Sequence, residues 1–498
     1  MTLPVRRLAG LSRSFLALGA ANYGAMAISF GISVLLARRL GAEQYGRLAL
    51  MLMVSQVLLL VAVNWSHTGF VQFGAREFAS TRTVADALWT RLGILLPLAA
   101  VGAMTLVLGR GPLAAYLGIP VAGVWLILMH FLAACALSVA GAVFQASDEM
   151  GRYGVSMFLD KALMLACVVG LPAAWTHSPL VVLGCYAVSS LSVAIWGLSV
   201  VRARTRADAW PSRVSLRRMA LFSAPLLLSS WAGFFGASWF DLVILKRYES
   251  MSGIGLYSLA TQLAGVAQQV TIIFSTLLLP HLSVMVAERQ DAQIRTFLER
   301  LLPYWLLGTS IVFSVILIGA RAGVPLVFGE SFGGAAPVLA LLMVATAALA
   351  LFNACTPLVT AYGSTWALTG ICLLSALTNV VVDLLLIPRF GIEGSAMATT
   401  VAYGTSAGMV LLFVQRRVGG RVLRLAWLGT PVLVAAVCFS LFDGVWFYAV
   451  ATVASTASVV ALVGAFRLFH TEDAVFLAAL RPRLPFNLGD GMPAGRRP

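Results

Sequence analysis

Asp160 and Lys161 stand side by side six or seven residues into an apolar stretch that runs from 155 to 175. An ionisable group at membrane depth is costly unless it faces protein or water, so such residues mark ion paths or binding sites. Adjacent helical residues point about 100° apart. The two are therefore expected not to pair solely with each other, and one or both to line a cavity, with snorkelling to the interface as the plain alternative. Asp383 lies deep in a second apolar stretch and shares a helix face with Asn379 at i, i+4. Asp241, Lys246 and Arg247 gather at the end of a third, where an ion pair within or between helices is the plain reading. Asn22, Gln262, Gln269 and Asn353 offer amides to sugar hydroxyls or, equally, to neighbouring helices.

Catalytic chemistry finds no such footing. The chain has no GxxxxGK[ST] and no HExxH motif, and His67, His130, His177, His281 and His470 include no close pair. Cys135, Cys167, Cys185, Cys355, Cys372 and Cys438 all fall in apolar windows, which argues against a disulfide framework and against zinc. The expectation is a protein that is not an enzyme and carries no cofactor.

The elements that position these groups are transmembrane helices. Hydrophobic residues make up 60% of the 498 and charged residues only 11%, where globular chains are about a quarter charged. Fourteen apolar windows are expected to span: 15–37, 48–65, 88–108, 119–141, 155–175, 179–201, 218–240, 256–280, 301–320, 335–358, 367–387, 393–414, 427–443 and 446–466. The first follows Arg6, Arg7 and Arg13, but it is too long for a signal segment and reads as a retained helix. The net charge of +15 follows topology rather than nucleic-acid binding. Segments on the side of the N terminus, with Arg76, Arg82, Arg91 and the run from Arg202 to Arg218 among them, carry far more basic residues than the opposite side. Both termini are thus expected in the cytoplasm, in a multi-pass protein of a bacterial inner membrane.

A repeat organises the windows. LLARRLGAEQYGRLAL at 35–50 and VILKRYESMSGIGLYSLA at 243–260 each end one span and open the next. Arg38 and Arg39 match Lys246 and Arg247, and Gly46 matches Gly255. Six intervening spans make the repeat parallel, with its axis along the membrane normal, so that two bundles facing one another enclose a cavity. The expected division is an N-terminal six-helix lobe over 1–205, a basic cytoplasmic linker over 206–217, a C-terminal six-helix lobe over 218–416, an extra helix pair over 417–466 and a cytoplasmic tail over 467–498. Glycines within spans suit close helix packing, and Pro97, Pro172, Pro225, Pro280, Pro303 and Pro357 are candidate bending points.

In these residues the chain resembles the Wzx-like oligosaccharide flippases, the polysaccharide-transporter group of the multidrug/oligosaccharidyl-lipid/polysaccharide exporter superfamily. The resemblance covers roughly 12–466. Its pieces are the 35–50 segment, GIGLYSLATQLAGVAQQVTIIFSTLLLPHLS at 253–283, LVFGESFGGAAPVLALL at 326–342 and NVVVDLLLIPRFGIEGSAMAT at 379–399. It implies an all-α fold of two six-helix lobes in a V shape with two added helices. It also implies that an undecaprenyl-diphosphate-linked oligosaccharide is flipped from the cytoplasmic to the periplasmic leaflet for lipopolysaccharide or exopolysaccharide biosynthesis, with proton or sodium coupling and membrane-bound glycan polymerases as partners. Cationic residues facing the cavity would meet the diphosphate. Lys161 is the deepest of these, with Arg38, Arg39, Lys246 and Arg247 nearer the periplasmic gate. An ion-coupled multidrug exporter, a flippase of a lipid-linked peptidoglycan precursor and a scaffold for glycan assembly are the alternatives. The first span holds no Asp or Glu, which departs from the acidic N-terminal lobe of many drug exporters, and Asp160 would have to substitute.

Overall fold

A computed structural model describes residues 5–202, 213–235, 238–419, 421–466 and 468. The expected linker over 206–217 lies mostly outside the described residues, and so does the expected tail over 467–498 apart from Leu468. In hydrocarbon every backbone N–H and C=O must be satisfied internally, which apolar segments achieve as helices. All regular structure among the described residues is accordingly helical.

Helix α1 (Val5–Leu59) continues through a π-helical turn, Leu60–Asn64, into α2 (Trp65–Thr81). Then come α3 (Ala85–Leu108), α4 (Arg110–Leu117), α5 (Val121–Ala146), α6 (Met150–Gly170), α7 (Ala173–Thr176) and α8 (Pro179–Val201). The second half holds α9 (Arg213–Phe235), α10 (Ser238–Tyr248), α11 (Met251–Ala287), α12 (Asp291–Thr296), α13 (Leu302–Phe328), α14 (Ala335–Ala361) and α15 (Thr365–Val418). The last helices among the described residues are α16 (Thr430–Leu441) and α17 (Gly444–Ala465).

Among the described residues 11 helices are long and apolar enough to cross a membrane, where the windows predict fourteen. Two of them are too long to cross once. The 61 residues of Ala21–Thr81 would extend about 90 Å as a straight helix, three times a hydrocarbon core of roughly 30 Å. Each long helix turns back at a glycine instead. Gly41 has φ 67 and ψ 172 within α1, and Gly391 has φ 56 and ψ −129 within α15. Only glycine adopts that backbone without strain, and at Gly391 a Cβ would also stand 1.7 Å from Glu249 Oε1.

The helices pack as two groups. In the first, α5 packs on α8, α1 on α6, and α2 on α3 and α5; in the second, α14 packs on α11, α13 and α15, with α16 and α17 on each other and on α13. The groups meet where α1 runs along α11 and where α2 and α3 meet α9. Outward faces are apolar, with Val101, Leu108, Leu384, Leu385 and Val445 all exposed, as lipid contact requires.

The glycines matched in the repeat touch one another across this interface. A Cβ on Gly46 would lie 2.1 Å from the Met251 carbonyl oxygen, and one on Gly255 would lie 1.9 Å from that of Ala42. The offset that maps Gly46 onto Gly255 also maps Ala42 onto Met251, so the contact maps onto itself. Isologous contact of this kind is what a two-fold axis between two copies produces. Arg91, counted with the basic residues of the inward side although it stands inside the 88–108 window, lies in α3 and is fully enclosed, against Phe70 of α2 and Ser138 of α5.

Candidate functional site

Three of the polar places inside this apolar body hold residues singled out by the sequence. The deepest is in the second group of helices, where α10, α11 and both arms of α15 converge on Asp241 and Asp383, each with no exposed surface. Asn379, one turn before Asp383, donates from Nδ2 to Asp383 Oδ2 at 2.7 Å and to Asp241 Oδ1 at 3.2 Å. The Tyr257 hydroxyl donates to Asp241 Oδ2, and Ser395 Oγ donates to the Tyr257 oxygen at 3.0 Å. Asn379 Oδ1 and Asp383 Oδ1 are buried without a hydrogen-bond partner, and neither aspartate forms an ion pair among the described residues. This corrects the reading that Asp241 pairs with Lys246 or Arg247. Helix α10 turns Asp241 inward, while Lys246 lies over the Tyr116 ring with its Nζ 5.9 Å from the centroid and Arg247 is exposed.

The second place is in the first group of helices. Lys161 Nζ donates to Asp160 Oδ2 at 2.9 Å, and Ser190 Oγ of α8 donates to Asp160 Oδ1 at 2.8 Å. The expectation that the neighbours would not pair solely with each other is half corrected. Lysine's four-carbon stem lets the ammonium swing back across the helix surface to its neighbour, and the serines of α8 complete the carboxylate's shell. Lys161 is about a third exposed, with its side chain at 34%, whereas that of Asp160 is at 9%. Tyr186 stands beside this cluster, its ring edge-on to His130 at 6.1 Å.

Tyr186 also lines the third place, a cavity of about 350 Å³ between the two groups of helices. Leu36, Leu48, Leu52 and Leu242 give it apolar walls, and Ser33, Tyr45 and Gln262 give it polar ones. The Tyr45 hydroxyl donates to Gln262 Oε1 at 2.6 Å, and Gln262 Nε2 donates to Ser33 Oγ. One amide thus ties α11 to both arms of α1 across the interface.

The arginine pair has a different task from the one its charge suggests. Arg38 donates from Nε and Nη2 to the carbonyls of Val327 and Leu326, at 2.7 Å each, at the end of α13. Arg39 donates from Nη1 to Val168 O at 2.9 Å, at the end of α6. Both satisfy helix C-terminal carbonyls, where a cation also complements the helix dipole. Arg38 braces the interface on the side where Phe30 meets Phe328 and Tyr45 meets Phe332, while Arg39 ties α1 to α6 within the first group. Asn353 donates to Thr271 Oγ1 at 2.8 Å within the second group, and Asn22 and Gln269 are half-buried on α1 and α11.

The structure therefore brings Asp241, Asn379 and Asp383 together, pairs Asp160 with Lys161, sets Gln262 on the cavity, and leaves Asn22, Gln269 and Asn353 apart from these. Sequence reasoning missed Ser33, Tyr45 and Tyr186 of the cavity wall, and the serines that close each cluster. Ser189 and Ser190 carried a signal, two adjacent hydroxyls in an apolar window, but single serines in spans are too common to single out.

The model of the polysaccharide biosynthesis protein family matches residues 11–286, more than half of the chain. A probable low-salt glycan biosynthesis flippase of Haloferax volcanii is 23% identical over 211 residues, which is 42% of this chain and 44% of that relative. The chain thus spans less than half the length of that curated relative. Among solved structures, the lipid II flippase MurJ in an inward closed conformation superposes with a TM-score of 0.67 at 11% identity, covering 92% of this chain and all of that one. The MATE transporter VcmN of Vibrio cholerae in its bent form superposes with a TM-score of 0.52 at 16% identity, over 82% of this chain and 97% of that one. At such identities the likeness is one of fold.

Proposed function

This chain belongs to the polysaccharide biosynthesis protein family, and on that premise we propose that it is a flippase that moves an undecaprenyl-diphosphate-linked oligosaccharide from the cytoplasmic to the periplasmic leaflet of an inner membrane. The observation that carries the reading is the cavity between two groups of helices, walled by Ser33, Tyr45, Tyr186 and Gln262 and flanked by Lys161. Its hydroxyls and amide suit a sugar, the nearby ammonium suits a diphosphate, and the lipid tail stays outside among the apolar faces. Two six-helix lobes, over 1–205 and 218–416, rock about the Gly46–Gly255 contact, and both termini lie in the cytoplasm. Membrane-bound polymerases take the product.

Coupling belongs to Asp241 and Asp383. Two carboxylates buried without a basic partner cannot both stay ionised unless a cation joins them. A proton or a sodium ion meets that need, and Asn379 Oδ1 and Asp383 Oδ1 are the oxygens left to receive it. The deciding experiment is leaflet analysis in cells depleted of this protein. The lipid-linked glycan is expected to accumulate facing the cytoplasm, and wild type is expected to clear it. Lys161→Ala or Gln262→Ala, expressed at the same level, is expected not to. Absence of accumulation in a strain without a redundant transporter sinks the reading.

A further inference from the structure

Arg91 is among the largest side chains fully enclosed among the described residues, and its guanidinium is short of partners. Nη2 lies 3.4 Å from Ser138 Oγ, Cζ stands 5.2 Å from the centre of the Phe70 ring, and Nε and Nη1 have no hydrogen-bond partner. No carboxylate forms an ion pair with it among the described residues. A long hydrogen bond and one aromatic face offset only part of the cost of burying that charge. Folding alone gives no reason to keep an arginine there.

Next to it lies a pocket of about 230 Å³ at the seam where α9 meets α2 and α3. Its walls include Phe73, Arg76 and Glu77 of α2, Ala87 and Thr90 of α3, and Arg218 of α9. Ala87 precedes Arg91 by four residues and Phe73 follows Phe70 by three. Arg91 and Phe70 thus stand one helical turn, about 5 Å along their own helices, from residues of the pocket wall, with the Arg91 guanidinium turned toward Ser138 of α5. The Glu77 carboxylate is engaged, accepting from the Asp86 and Ala87 amides at 3.0 and 2.9 Å and so capping α3. Asp86 stays exposed on the rim. Thr90 Oγ1 is buried without a partner, and so is Ser223 Oγ, which abuts Gly69 in the same seam.

We infer that this seam is a binding site for a phosphate-class oxyanion, which passes Arg76 and Arg218 and is held by the unpartnered N–H groups of Arg91 once α9 draws away from α2 and α3. Closed, the seam strands three polar groups; open and occupied, it satisfies them. The inference deepens the proposed function by naming where the diphosphate of the substrate is first met, and it rests on that reading only for what carries the phosphate.

Thermal unfolding of the purified chain in phosphatidylcholine nanodiscs tests it, with inorganic pyrophosphate, geranylgeranyl diphosphate and added phosphatidylglycerol as separate probes. The wild-type Tm is expected to rise with the first two. Arg91→Met is expected to melt no lower than wild type without anion and to lose the rise. Arg218→Gln is expected to shift the half-maximal concentration upward by roughly tenfold. Should Arg91→Met not fold, Arg91→Lys, which keeps the charge but not the planar donors, is expected to show a weakened rise. A wild type unmoved by all three probes overturns the inference, and so does a rise that survives in Arg91→Met or is undiminished in Arg91→Lys. A rise with pyrophosphate but not with the prenyl diphosphate supports the anion site and overturns its assignment to the lipid-linked substrate. A rise with phosphatidylglycerol alone overturns that assignment in favour of a lipid headgroup. None of these readouts needs transport, so failure of the flippase reading in the leaflet assay is a separate result.

Discussion

Lys161 stands 2.9 Å from Asp160 in the first group of helices, whereas Asp241 and Asp383 share one asparagine in the second and have no basic partner among the described residues. Both clusters are built from an aspartate, a neighbouring helix and serine or tyrosine hydroxyls. They differ in electrical completeness. A closed ion pair can hold its place through a transport cycle, while two acids around one amide change character whenever a cation arrives or leaves. Under the proposed function, the first cluster serves structure and substrate contact and the second serves coupling.

The largest effect is expected from removing the incompleteness. The double variant Asp241→Asn, Asp383→Asn replaces both carboxylates with neutral isosteres. Neutral amides remove the mutual repulsion and desolvation of two buried carboxyl groups, so stability is expected to hold or rise. Glycolipid flipping should fall to the level of the depleted cells while the melting temperature holds or rises, and any sodium dependence of that temperature should vanish. A variant that still flips substrate breaks the comparison, because the acids are then no more than a costly hydrogen-bond network.

A smaller effect is expected at the completed pair. Lys161→Met leaves Asp160 with its serines but without its cation, which should cost about 1–2 kcal/mol, below the cost at a fully buried pair because water screens a partly exposed ammonium. Adding Asp160→Asn should restore most of that loss, and the cycle of four proteins measured by thermal unfolding gives the coupling energy. Additive effects would mean that the two residues act independently, with Lys161 turned to the cavity and Asp160 held by Ser190 alone.

How much of this could be read from sequence follows the same divide. Asn379 and Asp383 were legible as a pair because helical spacing puts i and i+4 on one face, and Gly46 and Gly255 because the repeat sets them in register. Asp241 was not, since its loop-end position beside Lys246 and Arg247 suggested an ion pair, and only the rotation of α10 decides that it turns inward to Tyr257. Arg38 and Arg39 looked like diphosphate ligands, yet the ends of α13 and α6 that they cap come close only in the folded bundle. Arg91 stood inside the 88–108 window, but its complete enclosure was not legible, because the sequence does not say which helices cover that end of α3. Apolar windows and local spacing survive without a fold; helix rotation and long-range packing do not.

The smallest effect sharpens the contrast within the second group of helices itself. Asn353 donates one hydrogen bond to Thr271, at 2.8 Å between α14 and α11, and as an amide at membrane depth it reads from sequence equally as a ligand for sugar hydroxyls or as a link between helices. A single interhelical hydrogen bond in a membrane contributes about 0.6 kcal/mol on average. Asn353→Leu should therefore lower stability by about that amount, less whatever the leucine regains in packing, and leave both flipping and sodium dependence unchanged. Measured beside the double aspartate variant, it separates a polar residue that joins helices from one that does work in the cycle. Loss of flipping at unchanged stability would return Asn353 to the substrate path. It would also mean that the cavity, when open, extends past the Gln262 wall and into the second group of helices.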